Sequence, residues 1–371
     1  MDGTRDISIS PKPYPTTAAP NNRLPPEMLV AIFVQLSKQK LPSSACKGSY
    51  FVQDLVSATH VCRFWRQVAI NAPELWTEIT MRNVEAIKVF LERSSELPLN
   101  VDLRLASEDI AETNNNILDT LVLHTHRFRQ LSCHVQQGSN YKASIPFTKP
   151  APLLERLAIH HLLGAHEILL FDDQAPRLRG LVMVSKGLWL QNQLGNLTSL
   201  DLTLSHDMQK HSEFLPFFDM LRRCPVLEEM FLSWSGQSVQ LVPPQLSTVP
   251  LHHLRKLFLC SPCVNNFKYF LQIFDLKVDE IAIRLSGVNI PPHGDLIHVI
   301  QAMFPNNHSG RLSLVSSTRL GLIFHSPPSD TSVHVVGPGF SIKIDLCPND
   351  SIPFNKVRWV FRNAFPSVRE L

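Results

Sequence analysis

Two spacings of apolar residues divide this chain. In NRLPPEMLVAIFVQLSK, Asn22–Lys38, the residues Met28, Leu29, Ile32, Phe33 and Leu36 recur three and four positions apart, which predicts one apolar stripe on a short amphipathic helix. Pro25 and Pro26 stand where a first helical turn tolerates proline. A polar linker, SKQKLPSSACKGS, leads to FVQDLVSATHVCRFWRQVAI, in which Leu55, Val56, Val61, Phe64, Trp65 and Val68 again mark helical faces. NAPELWTEI closes this part, with Pro73 breaking the helix. Three short helices within about 55 residues bury little surface by themselves, so the pattern implies a partner that covers their apolar faces.

From residue 84 onward the pattern becomes repetitive. LLERLAI, LRGLVM, LTSLDL, LEEMFL, LRKLFL and VDEIAI share a frame of apolar residues at positions one, four and six, as in Leu154, Leu157 and Ile159. Successive frames from Leu154 to Val278 start 24, 19, 30, 27 and 24 residues apart, close to the period of leucine-rich repeats but irregular. Between them Phe214, Phe217, Phe218 and Leu221 predict an amphipathic helix, as do Phe267, Phe270, Leu271 and Phe274, and Leu296, Val299, Ile300 and Phe304. Cys224-Pro225, Phe304-Pro305 and Phe365-Pro366 read as helix stops, with Ala151-Pro152 and Ala175-Pro176 in equivalent places. One strand–helix unit cannot bury its own apolar face, and stacking neighbours does so. The expected body is an irregular leucine-rich-repeat-like β/α solenoid over residues 81–371. Within it, residues 306–348 alternate apolar and polar between Gly, Pro and Ser turns, which predicts a β-rich antiparallel insertion. FPSVREL, the last seven residues, reads as the strand of a further unit without a polar cap, so the C-terminus either packs differently or stops early.

Composition narrows the function classes. With 44% hydrophobic and 18% charged residues in 42.0 kDa, the chain can build a large core. A net charge of +3 over 371 residues gives no support for a nucleic-acid or membrane-surface role, and no apolar run approaches the roughly 20 residues of a membrane span. Residues 1–20, with Pro11, Pro13, Pro15 and Pro20, predict a disordered leader without the apolar core of a signal peptide. The expected location is therefore cytoplasmic or nuclear, where the seven cysteines are free thiols.

Candidate chemistry is sparse. There is no phosphate-cradling glycine loop, nucleophile elbow or zinc helix, and no cofactor or catalytic residue is expected. Cys260-x-x-Cys263 has metal-type spacing, with His252 and His253 upstream, but no second cysteine pair follows at finger-like distance, and ordinary strand-end thiols are the expectation. His124/His126 and His160/His161 fall at a helix end and a strand end. What the frame does offer is a surface: residues between the inward leucines face outward. One outward row holds Ala158, Val182, Asp201, Phe231, Phe258 and Ala282, and its neighbour holds His160, Val184, Thr203, Ser233, Cys260 and Arg284. Phe231 and Phe258 fall on adjacent strands, so Asp201, Phe231, Ser233, Phe258 and Arg284 are the candidate substrate-binding residues.

The first segment also resembles the F-box module, on Leu24-Pro25-x-Glu27, Ile32-Phe33 and Val61-Cys62-x-x-Trp65-Arg66 in that order. APELWTEI and FLERSSELPLNVDLRL look like the F-box proteins abundant in mushroom-forming fungi. The stretch from Lys38 to Tyr50 is longer than in compact F-boxes. The resemblance implies an F-box domain over residues 21–80 that docks onto the Skp-type adaptor of a cullin–RING ubiquitin ligase. It also implies that Leu24, Pro25, Met28, Ile32, Val61 and Trp65 are adaptor-facing or core positions. A substrate receptor without chemistry of its own is the first functional expectation. An adaptor-binding scaffold without a degradation role is the second, and an enzyme hidden in the irregular C-terminal half is the third.

Overall fold

The computed structural model describes residues 24–38, 55–80, 83–105, 111–135, 147–162, 167–185, 189–204, 211–234, 248–261, 270, 273–276, 280–285, 321–325, 331–337 and 340–346. These divide into two units. One runs to Trp76 and takes in Leu91–Ser95; the other comprises Thr77–Phe90 and the residues from Glu96 onward.

In the first unit α1, Pro26–Lys38, starts where the sequence places it. The Pro25 carbonyl accepts from the amides of Met28 (3.0 Å) and Leu29 (3.2 Å), and Glu27 puts an acid near the positive end of the helix. Residues 55–59 form a helical turn, which a break at residues 60–62 separates from α2, Arg63–Ile70. Cys62 is the extended N-cap of α2, its Sγ accepting from the Trp65 amide at 3.5 Å. A 3-10 turn, Pro73–Trp76, follows. Leu29, Phe33, Leu55, Ala58, Val68, Ala69, Leu75 and Trp76 form the buried core of this unit. The Trp76 indole donates to the Ala69 carbonyl at 2.8 Å, and the Arg93 guanidinium stands 4.3 Å from the ring centroid, a cation–π contact.

The second unit is a mixed α/β body built on a parallel sheet. Its strands are β1 (Glu78–Ile79), β2 (Leu99–Leu105), β3 (Phe128–Val135), β4 (Arg156–Leu162), β5 (Glu167–Ile168), β6 (Gly180–Ser185), β7 (Trp189–Leu190) and β8 (Ser199–Leu204). They continue with β9 (Glu229–Trp234), β10 (Val249–Leu251), β11 (Lys256–Ser261), β12 (Phe274–Leu276), β13 (Glu280–Leu285), β14 (Gly321–His325), β15 (Thr331–Gly337) and β16 (Phe340–Leu346). The main sheet runs β1-β2-β3-β4-β6-β8-β9-β11-β13-β16-β15-β14, so up to β13 each of its strands lies beside the main-sheet strand that precedes it in sequence, and after β13 the order reverses. Pairing is parallel from β1 through β13 to β16, and antiparallel from β16 to β15 to β14. The antiparallel meander thus extends the edge of the parallel sheet; residues 306–320 and 347–371 lie outside the described residues. Two-stranded parallel ladders, β5–β7 and β10–β12, form in the connections. The described helices of this unit include α3 (Val84–Arg93), whose last residues belong to the first unit, α4 (Ala111–Val122) and α5 (His211–Arg222).

The apolar frame explains this register. Leu131, Leu157, Leu181, Leu200, Met230 and Leu257 stand side by side across six strands, and Cys133, Ile159, Met183, Leu202, Leu232 and Leu259 form a second row two residues on. All twelve are buried. A one-residue slip of any strand would turn this set to the half-buried face, so the frame fixes the register.

The first apolar residue of each frame has its own task. The amides of Leu154, Leu178, Leu197, Leu227 and Leu254 donate to the carbonyls of Ala151, Ala175, Leu194, Cys224 and Leu251, at 3.0–3.3 Å. Each pair closes a tight turn just before a strand, with the leucine side chain buried beneath it. Pro152, Pro176 and Pro225 occupy the second position of these turns, where a fixed φ is favoured. This corrects the expectation for Ala151-Pro152 and Ala175-Pro176: these pairs sit in β-turns. The link from β4 to β6 runs through β5 and a 3-10 turn, Phe171–Asp173. A second correction concerns Phe274, expected at the end of a helix with Phe270: it opens β12, leaving Phe270 and Ile273 as the described helical residues there. The predicted helix around Leu296–Phe304 lies outside the described residues.

Candidate functional site

Two surfaces hold the residues singled out from the sequence. The first belongs to α1 and its neighbours. One apolar stripe was expected on this helix, and the structure resolves it into two. Successive residues lie about 100° apart around a helix, so Leu29 and Phe33 point into the core while Met28, Ile32 and Leu36 point out. Leu24, Met28, Ile32, Leu36, Val56 and Val61 are between 37% and 53% exposed. Pro25 is exposed as well, as the carbonyl that caps α1.

Trp65 differs from the other five candidates. Its half-buried ring meets Phe33 edge to face, with centroids 5.4 Å apart, so it packs on the core side of α1. Its indole nitrogen is buried and has no hydrogen-bond partner among the described residues. Leu36 and Val56 were absent from the candidate set and extend the exposed surface. The signal for Leu36 was present in the four-residue spacing of Met28, Ile32 and Leu36, which separates an outer row from the inner pair.

The second surface is the half-buried face of the sheet. Ala158, Val182, Asp201, Phe231, Phe258 and Ala282 stand in one cross-strand row, and Val184, Thr203, Ser233, Cys260 and Arg284 in the next. Phe231 and Phe258 stack, with ring centroids 4.4 Å apart and planes within 7° of parallel. Beside them lies an open pocket of about 330 Å³, lined by Ser199, Asp201, Glu229, Phe231, Lys256 and Phe258 among others. Lys256 Nζ pairs with Glu229 Oε1 at 2.7 Å across adjacent strands. Asp201 has no cationic partner among the described residues, and burial raises its carboxyl pKa from its ordinary value. Ser233 is half-buried one row on, and Arg284 holds the register position beside Cys260.

The histidine pairs take separate places. His124 and His126 lie at the end of α4, with ring centroids 6.3 Å apart. Burial, first, and the neighbouring Arg127 charge, second, lower His124 below the usual imidazole value. His160 stacks on His134 of the adjacent strand at 4.0 Å, and His134 shares a 2.9 Å hydrogen bond with Ser132. No group of three or more His, Cys, Asp or Glu side chains among the described residues is placed to hold a metal ion. Cys260 is half-buried near the end of β11, and Cys263 lies outside the described residues.

Residues 21–82 match the model of the F-box-like family. No curated protein and no solved structure matches the chain significantly. The matched span contains α1, α2 and the whole exposed apolar surface between Leu24 and Val61, and the chain therefore carries an F-box-like domain at residues 21–82.

Proposed function

We propose that this protein is a substrate receptor of a Skp–cullin–F-box ubiquitin ligase. The F-box-like domain docks on a Skp-type adaptor, and the parallel sheet recruits a target protein. One observation carries the reading: within the matched domain, α1 presents a second apolar row, Met28, Ile32 and Leu36, flanked by Leu24, Val56 and Val61, in addition to the row that builds its own core. Solvent-facing apolar side chains gathered in so small a unit mark an interaction site. On this reading Leu24, Pro25, Met28, Ile32 and Val61 contact the adaptor, and Trp65 supports α1 from behind through Phe33.

The sheet supports the second half of the reading. Its laterally repeated strands, with a recurring turn before each, fit a leucine-rich-repeat-like β/α solenoid, and such arrays recognise partners with a broad face. The protein then contributes proximity, holding substrate lysines near the ligase's charged ubiquitin carrier, and no bond chemistry of its own. Its place would be the cytoplasm or nucleus, where that machinery works. An adaptor-bound scaffold without degradation is the second reading.

Affinity purification with mass spectrometry tests the proposal, comparing the wild type with a Leu24→Ala/Pro25→Ala variant. Recovery of a Skp-type adaptor and cullin by the wild type alone is the expected result. Absence of both from the wild-type sample refutes it.

A further inference from the structure

Resting on the receptor reading, we infer that the pocket beside the stacked phenylalanines receives an arginine side chain of the partner protein. Strands of a sheet lie about 4.8 Å apart. The 4.4 Å separation of the near-parallel Phe231 and Phe258 rings therefore runs along the direction between β9 and β11. The stacked rings face each other across the gap between these strands, so the second face of Phe231 looks toward β8. There Asp201 stands in register with Phe231, and Val182 follows Asp201 on β6. The short Asp201 side chain lies between a ring face and a small aliphatic residue, and it lines the open pocket that Phe231 and Phe258 also line.

The charges select the guest. Glu229 is matched by Lys256, while the half-buried Asp201 carboxylate has no cation among the described residues. A cation entering from solvent meets a carboxylate below and the electron-rich face of Phe231 beside it. A guanidinium satisfies both, because its plane continues the Phe258–Phe231 stack while its N–H groups reach the carboxylate. A lysine ammonium can form the ion pair but cannot stack. An anionic or purely apolar guest leaves Asp201 desolvated and unpaired.

The test is ligand-observed NMR on the full chain, titrating acetyl-Gly-Arg-Gly-amide against its citrulline counterpart, which keeps the planar shape and removes the charge. The arginine peptide is expected to bind at least about tenfold more tightly than the citrulline peptide. Asp201→Asn should erase that difference without lowering thermal stability, and Phe231→Leu should weaken the arginine peptide about fivefold. Equal binding of the two peptides, or binding of neither, overturns the inference. Protein capture separates this outcome from the receptor reading itself. Partners lost with Phe231→Ala/Phe258→Ala but kept with Asp201→Asn would uphold a receptor and refute the arginine pocket. Arginine-peptide binding by a chain that captures nothing beyond adaptor and cullin would do the reverse.

Discussion

Replacing Met28 and Ile32 together by serine should separate folding from adaptor binding in the F-box-like domain. Met28 is 53% exposed and Ile32 is 38% exposed, so neither is a principal core residue. Full burial of a Met or Ile side chain contributes roughly 1.5–3 kcal/mol. About half of that remains to be gained when a partner covers each one, or about 2 kcal/mol for the pair, which is about thirtyfold in Kd. The half of each side chain that is already covered contributes to folding, so the free chain should lose about 2 kcal/mol across the two substitutions, or about 1 kcal/mol per residue. Leu29 and Phe33, on the same helix but 0% and 1% exposed, form the contrast. Leu29→Ala should cost about 2–5 kcal/mol and unfold a unit this small. Isothermal titration calorimetry against a recombinant Skp-type adaptor reads the first effect, and thermal unfolding of the free chain reads the second. An unchanged Kd for the double serine variant would refute the assignment of the outer row. A loss per substitution equal to that of Leu29→Ala would refute the division of α1 into inner and outer rows.

Other consequences are equally open to measurement. The buried Asn192 side chain donates to the Leu170 carbonyl at 2.6 Å and accepts from the Leu170 amide at 3.0 Å. Asn192→Ala leaves both backbone groups without these partners and should cost about 1–3 kcal/mol, measured by chemical denaturation. Burial pushes the thiols of Cys133 and Cys224 up to about 12, so both should resist alkylation in the folded chain while the half-buried Cys62 and Cys260 react. Mass spectrometry after brief iodoacetamide treatment distinguishes the two sets. Asp201 binds its proton more tightly in the folded chain than in the unfolded one, because burial raises its pKa. Its contribution to stability is therefore most favourable below the carboxylate range and declines as pH rises through it. Asp201→Asn should raise Tm near pH 7, and the gain should shrink toward pH 4; a gain that grows on acidification would contradict the assignment.

Much of this architecture was legible because local patterning and tertiary packing agree. Proline and apolar spacing set the start of α1, and these are local terms that act within one turn. The frame of leucines identified β4, β6, β8, β9, β11 and β13 and their outward rows, because alternation along a strand depends only on the pleat. Where the reading departed from the structure, packing across distance decided. Phe270 and Phe274 have helical spacing, yet β12 takes Phe274 by pairing with β10, and no local pattern encodes the presence of that neighbour. Ala151-Pro152 and Ala175-Pro176 are compatible with either a helix stop or a β-turn. The choice falls to the turn because the buried leucine two residues later must reach the core.

By itself, then, the sequence determined an F-box-like segment, a parallel sheet and the outward position of Phe231 and Phe258. Only the tertiary structure decided that the apolar residues of α1 form two rows, since exposure depends on where Trp65 and Phe33 meet. It alone decided that the two phenylalanine rings stack, and that the carboxylate beside them is left without a cation. Those properties arise between strands whose residues lie about 30 positions apart in the chain, where propensity has no reach and packing chooses the neighbours.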